Sequence, residues 1–193
     1  MKPTLILASA SPRRRDLLAQ AGIACEVRPA DVDETPLADE QPDAYVRRLA
    51  RAKAGAILGD GRPVLGADTA VVLDRSILGK PADAADAARM LRALSGREHE
   101  VHSAVALVSG DRCNDSCVTV RVCMRKLDDE EIAAYCRTGE PMDKAGAYAI
   151  QGRAAAFVER IDGSYTAVVG LPIYETLVLL RTAGVTAWSE SDS

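Results

Sequence analysis

Short apolar runs alternate along the whole chain with stretches whose apolar positions recur every three or four residues. The first pattern marks strands and the second helices, so the alternation predicts an α/β protein. Thr4–Ala8 reads as a buried strand that leaves through Ser9-Ala10-Ser11 into a helix. Ser11 stands at the N-cap and Pro12 at the first helical position, where a missing N–H costs nothing. Leu17, Leu18 and Ala21 give that helix an apolar face, and Gly22 closes it. Ala24–Val27 reads as a second strand, followed by the acidic loop Asp31-Val32-Asp33-Glu34. A longer helix is predicted over Asp43–Ile57, with Tyr45, Leu49, Ala52, Ala56 and Ile57 on its stripe.

Val64–Ala67, Val71–Leu73 and Ile77-Leu78 read as short strands with turns between them, and Asp83–Leu94 as a helix closed by Ser95-Gly96. Val101–Val108 and Cys117–Val122 alternate as strands, paired as a hairpin through Gly110–Asp115. Asp128–Cys136 is predicted helical, with an acidic first turn that suits the helix dipole. Ala155–Ile161 reads as a strand, and Pro172 opens a last helix toward Ala183. One domain over residues 1–188 is expected, ending in a disordered tail, Ser189-Glu190-Ser191-Asp192-Ser193.

Composition narrows the function classes. Acidic residues outnumber basic ones by 28 to 24, for a net charge of −4. A generic nucleic-acid coat is normally basic, so no nucleic-acid partner is expected, and any polyanionic ligand must meet a local cluster of cations. No apolar run approaches the ~20 residues of a membrane helix, and no membrane partner is expected. Lys2 followed by Leu5–Ala8 imitates an export signal, but the apolar core is too short and Arg13-Arg14-Arg15 follows at once. The five cysteines are odd in number, and Cys113, Cys117 and Cys123 have neither a nearby histidine nor a second CxxC. Free thiols and a cytoplasmic location are the expectation.

Neither GxxxxGK[ST], GxGxxG nor GxSxG occurs. The two histidines, His99 and His102, would face opposite sides of a strand, which argues against a shared metal; they read as structural or surface residues, leaving general-base work to a carboxylate. Ser9, Ser11, Arg13 and Arg14 crowd a strand-to-helix junction, where hydroxyls, guanidiniums and helix N–H groups suit phosphate oxygens. Gly66-Ala67-Asp68-Thr69 places a carboxylate at the end of an apolar strand, where α/β proteins tend to bind ligands. Asp31, Asp33 and Glu34 offer oxygens to Mg²⁺ or Mn²⁺, or simply face water. Lys53 lies beside the stripe of its helix, and Lys80 is pinned between a glycine and a proline. In the glycine-rich stretch 139–152, Asp143 and Lys144 stand side by side, and the Gln151 amide can read the edge of a base.

Taken in order from Leu5 to Ala183, these pieces resemble the Maf family of nucleoside triphosphate pyrophosphatases, also called septum formation inhibitors. The matching segments are Ser9–Arg14 with Leu17-Leu18, Val32-Asp33-Glu34, Ala50–Ala54, Leu65–Thr69, Gly79-Lys80-Pro81 and Leu94-Ser95-Gly96. Gly139-Glu140-Pro141, Asp143–Tyr148, Ile150-Gln151-Gly152, Gly163-Ser164-Tyr165 and Gly170-Leu171-Pro172 complete them. Asp143–Tyr148 and Gln151 look like the branch acting on dTTP and UTP; the sister branch, acting on 7-methyl-GTP, usually carries a Cys-Ala-Gly type segment there. Ala149 and Ala70 depart from that branch, which often has glycine and a larger aliphatic at those places.

The resemblance implies an inosine-triphosphatase-like fold, with a mixed, elongated, twisted sheet flanked by helices and two lobes around a nucleotide cleft. It implies hydrolysis of a nucleoside triphosphate to the monophosphate and pyrophosphate, with a divalent cation (Mg²⁺ or Mn²⁺), in a homodimer. Asp68 would be the proton acceptor, with Lys53 and Lys80 beside it in catalysis. Arg13, Thr69 and Gln151 would set substrate preference. Ser9, Ser11, Arg14 and Lys144 would bind phosphate, and Glu34 with Asp68 would hold the metal. A 7-methyl-GTP pyrophosphatase and a nucleotide-binding regulator of septum formation are the alternative readings.

Overall fold

The computed structural model describes residues 4–57 and 60–187; the expected tail at Ser189–Ser193 lies outside them. Strands β1 (Leu5–Leu7), β2 (Cys25–Val27), β3 (Val64–Leu73), β4 (Ser76–Leu78), β5 (Glu98–Ser109), β6 (Arg112–Met124) and β7 (Val158–Asp162) form one sheet. Its order is β2-β1-β3-β5-β6-β7, with β4 paired to β3. β1 runs parallel to β2 and β3, whereas β4 and β7 are antiparallel to their neighbours, so the sheet is mixed as expected. The helices are α1 (Pro12–Gln20), α2 (Pro42–Ala56), α3 (Ala84–Leu94), α4 (Asp129–Arg137), α5 (Tyr165–Val169) and α6 (Ile173–Thr182). The chain divides into two compact units, residues 1–68, 103–118 and 170–193 in the first, and 69–102 and 119–169 in the second.

In the first unit, Leu5, Ile6 and Leu7 are fully buried, which is why β1 reads as an unbroken apolar run rather than an alternation. Helix α1 starts at Pro12 as read, but the Ser11 hydroxyl does not cap it. The Ser11 N–H instead donates to Ser9 Oγ at 3.3 Å, so the junction is organised around Ser9. Helix α2 turns Tyr45, Val46, Leu49, Ala50, Lys53 and Ala54 inward. It approaches β3 so closely that a Cβ on Gly66 would stand 2.2 Å from the Ala50 carbonyl oxygen and 2.6 Å from the Ala54 nitrogen. The outer side of α2 is tied down by Arg47, 2.5 Å from Asp115, and by Arg51, whose Nε donates to the same carboxylate at 2.7 Å.

In the second unit, α3 is capped by Asp83, which accepts from the Asp86 N–H at 2.8 Å. α4 carries a reciprocal capping box between Asp128 and Glu131. Short 3₁₀ turns occupy Glu140–Asp143, Ala145–Ala147 and Arg153–Phe157. The last turn displaces the start of the strand expected at Ala155. Ala154 and Phe157 are buried at a spacing of three, the period of a 3₁₀ turn, so the extended chain begins at Val158.

Two further expectations are corrected. β3 is continuous from Val64 to Leu73, with no turn at Asp68-Thr69, so Asp68 sits within the strand rather than at its end. The strand survives a buried carboxylate because Lys53 pairs with it. The hairpin of β5 and β6 turns on Gly110-Asp111 alone, with Gly110 at φ +59°, and both strands are longer than read. His99 and His102 lie on β5 and are buried, so of the structural and surface readings the structural one holds.

Enlarging Gly66 forces α2 off β3. Gly66→Ala is therefore expected to cost on the order of 1–3 kcal/mol or more in urea unfolding, as overpacking against backbone does. His99 donates a second check. Burial pushes its imidazole down to about 4. Between that value and the unfolded value of about 6.5 the unfolded chain takes up a proton that the fold refuses, so stability falls as pH drops through this window. From pH 7 to pH 5 the protein should lose about 2 kcal/mol more than His99→Gln does, measured by urea unfolding of both.

Candidate active site

Asp68 is 7% exposed and Lys53 8%, so both charges are held out of water. Lys53 Nζ donates to Asp68 Oδ1 at 2.7 Å and stands 2.7 Å from Glu34 Oε1. The ammonium thus bridges two carboxylates, one on β3 and one in the loop that leads into α2. It reaches them because it extends from the inward face of α2, beside the Gly66 contact. Burial lifts the Asp68 carboxyl above the ordinary carboxylate range, against the pull of Lys53 and Arg14, and the Glu34 charge adds to the rise. A carboxylate raised in this way is a stronger proton acceptor than one in water.

The strand-to-helix junction supplies a second group in the same unit. Arg14 Nη1 donates to the buried Ser9 Oγ at 3.0 Å, and Arg14 Nε donates to the Gly170 carbonyl at 2.8 Å. With two of its donors committed, the guanidinium is fixed in place at the start of α1. Burial lowers its pKa, opposed by the nearby Asp68 charge. Ser11 is half-buried beside it, and Arg13 is half-buried in the first turn of the same helix. Ser9, Ser11 and Arg14 therefore come together, as do Lys53, Asp68 and Glu34.

In the second unit the Gly146 N–H donates to the Gly79 carbonyl at 3.1 Å, joining the turn that carries Lys144 to the residue before Lys80. Gly146 has φ +67°, and a Cβ there would lie 2.8 Å from Val71 Cγ1, so only glycine lets this turn sit on β3. Lys144 pairs with Asp143, while Lys80 and Gln151 are exposed. Thr69 is half-buried on β3.

Tyr45 was legible only as part of a helical stripe, yet its hydroxyl donates to the Glu34 carbonyl at 3.0 Å and so holds the acidic loop against α2. Burial, with the charges of Asp68 and Glu34, pushes the Tyr45 phenol up to about 12, which keeps it a donor. Asp33 does not join the carboxylate group; it accepts from the Thr35 N–H at 2.9 Å and shapes the loop.

The Glu34 and Asp68 carboxylates, which share one ammonium, are hard-oxygen donors of the kind that could hold Mg²⁺ or Mn²⁺. Among the described residues no three His, Cys, Asp or Glu side chains gather as a self-sufficient metal cage. Among the described residues no helix is long and apolar enough to cross a membrane.

Residues 4–183 match the family model described as Maf-like protein. The dTTP/UTP pyrophosphatase of Anaeromyxobacter dehalogenans strain 2CP-1 is 57% identical over 188 residues, which cover 95% of this chain and 96% of that protein. The protein of the same name from Bordetella pertussis strain Tohama I is 55% identical, over 95% of this chain and 94% of its own. Among solved structures, a HAM1 protein from Coxiella burnetii aligns over 78% of this chain and 89% of that one, at 18% identity and a TM-score of 0.45. With the family model spanning nearly the whole described sequence and relatives above half identity end to end, this chain belongs to the Maf family.

Proposed function

We propose that the protein hydrolyses dTTP and UTP, with water, to the nucleoside monophosphate and pyrophosphate. The observation that carries this reading is the buried Asp68 carboxylate, raised as a base and bonded to Lys53, in a chain whose relatives bear that activity in their names. Hydrolysis breaks the anhydride between the α and β phosphates. The attacking water gives its proton to Asp68, its oxygen bonds to one of the two phosphorus atoms of that anhydride, and the bridging oxygen leaves with the other.

Phosphoryl transfer needs positioning and charge stabilisation more than a covalent nucleophile. Lys53 holds Asp68 in place and adds positive charge where negative charge builds. Arg14, fixed by Ser9 and Gly170, offers its guanidinium to phosphate oxygens. For the remaining residues the reading places Lys80 beside Lys53 in catalysis, and assigns phosphate contacts to Ser9, Ser11 and Lys144 and substrate preference to Arg13, Thr69 and Gln151. A divalent cation, Mg²⁺ or Mn²⁺, held by Glu34 and Asp68 would neutralise charge on the triphosphate. The family resemblance adds a homodimer in the cytoplasm, and five unpaired thiols support a reducing compartment.

Asp68→Asn keeps the shape of the side chain and removes the base. Pyrophosphate release from dTTP and UTP with Mg²⁺ or Mn²⁺ is expected to fall about 10²–10⁴-fold, with the thermal unfolding profile retained. A fully active Asp68→Asn protein would overturn the assignment. Gln151→Ala is expected to flatten the preference among dTTP, UTP, CTP, GTP and 7-methyl-GTP more than it slows turnover on UTP. A wild-type protein that prefers 7-methyl-GTP would keep the chemistry and reject the pyrimidine reading.

A further inference from the structure

Gly139-Glu140-Pro141 contributes to the family resemblance but has no part in the reaction as assigned above. Its carboxylate nevertheless makes a dense set of contacts within the second unit. Glu140 Oε1 accepts from the Tyr135 hydroxyl at 2.9 Å and from the Arg153 N–H at 2.9 Å, and Oε2 lies 3.3 Å from the same N–H. The Tyr135 hydroxyl in turn accepts from the Ala149 N–H at 3.2 Å. A bond of 2.9 Å from the Gly152 N–H to the Ala149 carbonyl closes the turn between them. A Cβ on Gly152 would stand 2.4 Å from Glu140 Oε1, so glycine is what lets the carboxylate lie against this backbone.

Gln151 is at the centre of that turn, and its own side chain is exposed. One Tyr–Glu pair therefore grips the main chain two residues before Gln151 and two residues after it. The grip is itself anchored. Tyr135 extends from the capped helix α4, is 4% exposed, and meets the Phe157 ring edge-on at 5.2 Å between centroids. The Glu140 N–H donates to Thr138 Oγ1 at 3.2 Å, which sets the start of its segment. Burial and the Glu140 carboxylate both raise the Tyr135 phenol, so its proton stays available to Glu140.

A glutamine amide presents a carbonyl at one corner and an NH₂ at the other. Uracil and thymine carry a carbonyl where cytosine carries an amino group, so discrimination depends on which corner faces the base. A backbone that shifts by more than about 0.5 Å lets the amide turn over and accept the wrong partner. We propose that Tyr135 and Glu140 are positioning residues that fix the Ala149–Arg153 turn and so set which end of the Gln151 amide meets the base. This rests on the reading of Gln151 as a base-contacting residue.

The test compares kcat/KM for UTP and CTP, from pyrophosphate release, in wild type, Tyr135→Phe, Glu140→Gln, Gln151→Ala and the Tyr135→Phe/Gln151→Ala double variant. Tyr135→Phe retains the ring against Phe157 and removes both hydroxyl bonds. It is expected to shrink the UTP-over-CTP ratio about ten-fold, chiefly by raising KM for UTP rather than lowering kcat. Glu140→Gln, which keeps one carbonyl acceptor, should shrink it about three-fold. Added to Gln151→Ala, Tyr135→Phe should change the ratio by less than about two-fold, because the residue it acts through is already gone. A pair that only stabilised the fold would lower thermal stability without this coupling. If Gln151→Ala lowers the ratio while Tyr135→Phe leaves it intact, or if the two effects add in full, the positioning role is rejected and the base reading survives. If Gln151→Ala leaves the ratio unchanged, the base reading falls and this proposal falls with it. Should Tyr135→Phe fail to fold, Glu140→Gln carries the same comparison.

Discussion

A helix can ride on a strand at backbone distance only where no side chain stands between them, and Gly66 provides that opening between β3 and α2. The pairing of Lys53 with Asp68 follows from that approach. Ala50 and Ala54 keep the facing side of the helix equally thin, and Lys53, between them in sequence, is brought within reach of the strand. An ordinary helix-to-sheet spacing would leave Asp68 buried without its cation. The cost of a lone buried carboxylate would then be met by protonation, and a protonated acid cannot take a proton from water.

The same arrangement shows how an acidic chain can serve a polyanion. Net charge describes the field far from the surface, whereas a phosphate meets charges a few ångströms away. Arg14 is fixed by a hydroxyl and a carbonyl, neither of which cancels its charge. Lys53 is shared between two carboxylates, so its positive charge is locally outweighed. Tyr45 ties the Glu34 loop to α2 through the Glu34 carbonyl.

Features with local causes could be read from the sequence, and features with distant causes could not. Pro12 opens α1 as read, and the helices read from Asp83 and Asp128 begin one residue later, each of those aspartates standing as the cap. The continuity of β3 through Asp68-Thr69 was hidden because the cation that permits it comes from another element, fifteen positions away. Ser11 marked its helix correctly, but its hydroxyl was outcompeted by the arrangement around Ser9. Candidate residues were found by type and by their place at junctions. The bonds that Tyr45, Tyr135 and Glu140 make were not legible, because each reaches the main chain of a different segment, and a hydrophobic stripe or a bare motif gives no sign of that.

His99 places a spectroscopic probe inside the second unit. Its Nε2 lies 2.8 Å from the Tyr148 hydroxyl, the rings meet edge-on, and Nδ1 has no hydrogen-bonding partner among the described residues. The chain holds two histidines, so one substitution assigns both imidazole signals in a proton–nitrogen spectrum. Tyr148 lies three residues before Gln151, on the same glycine-rich stretch. A nucleotide that reorders this stretch would register at the His99 ring without any label added to the protein.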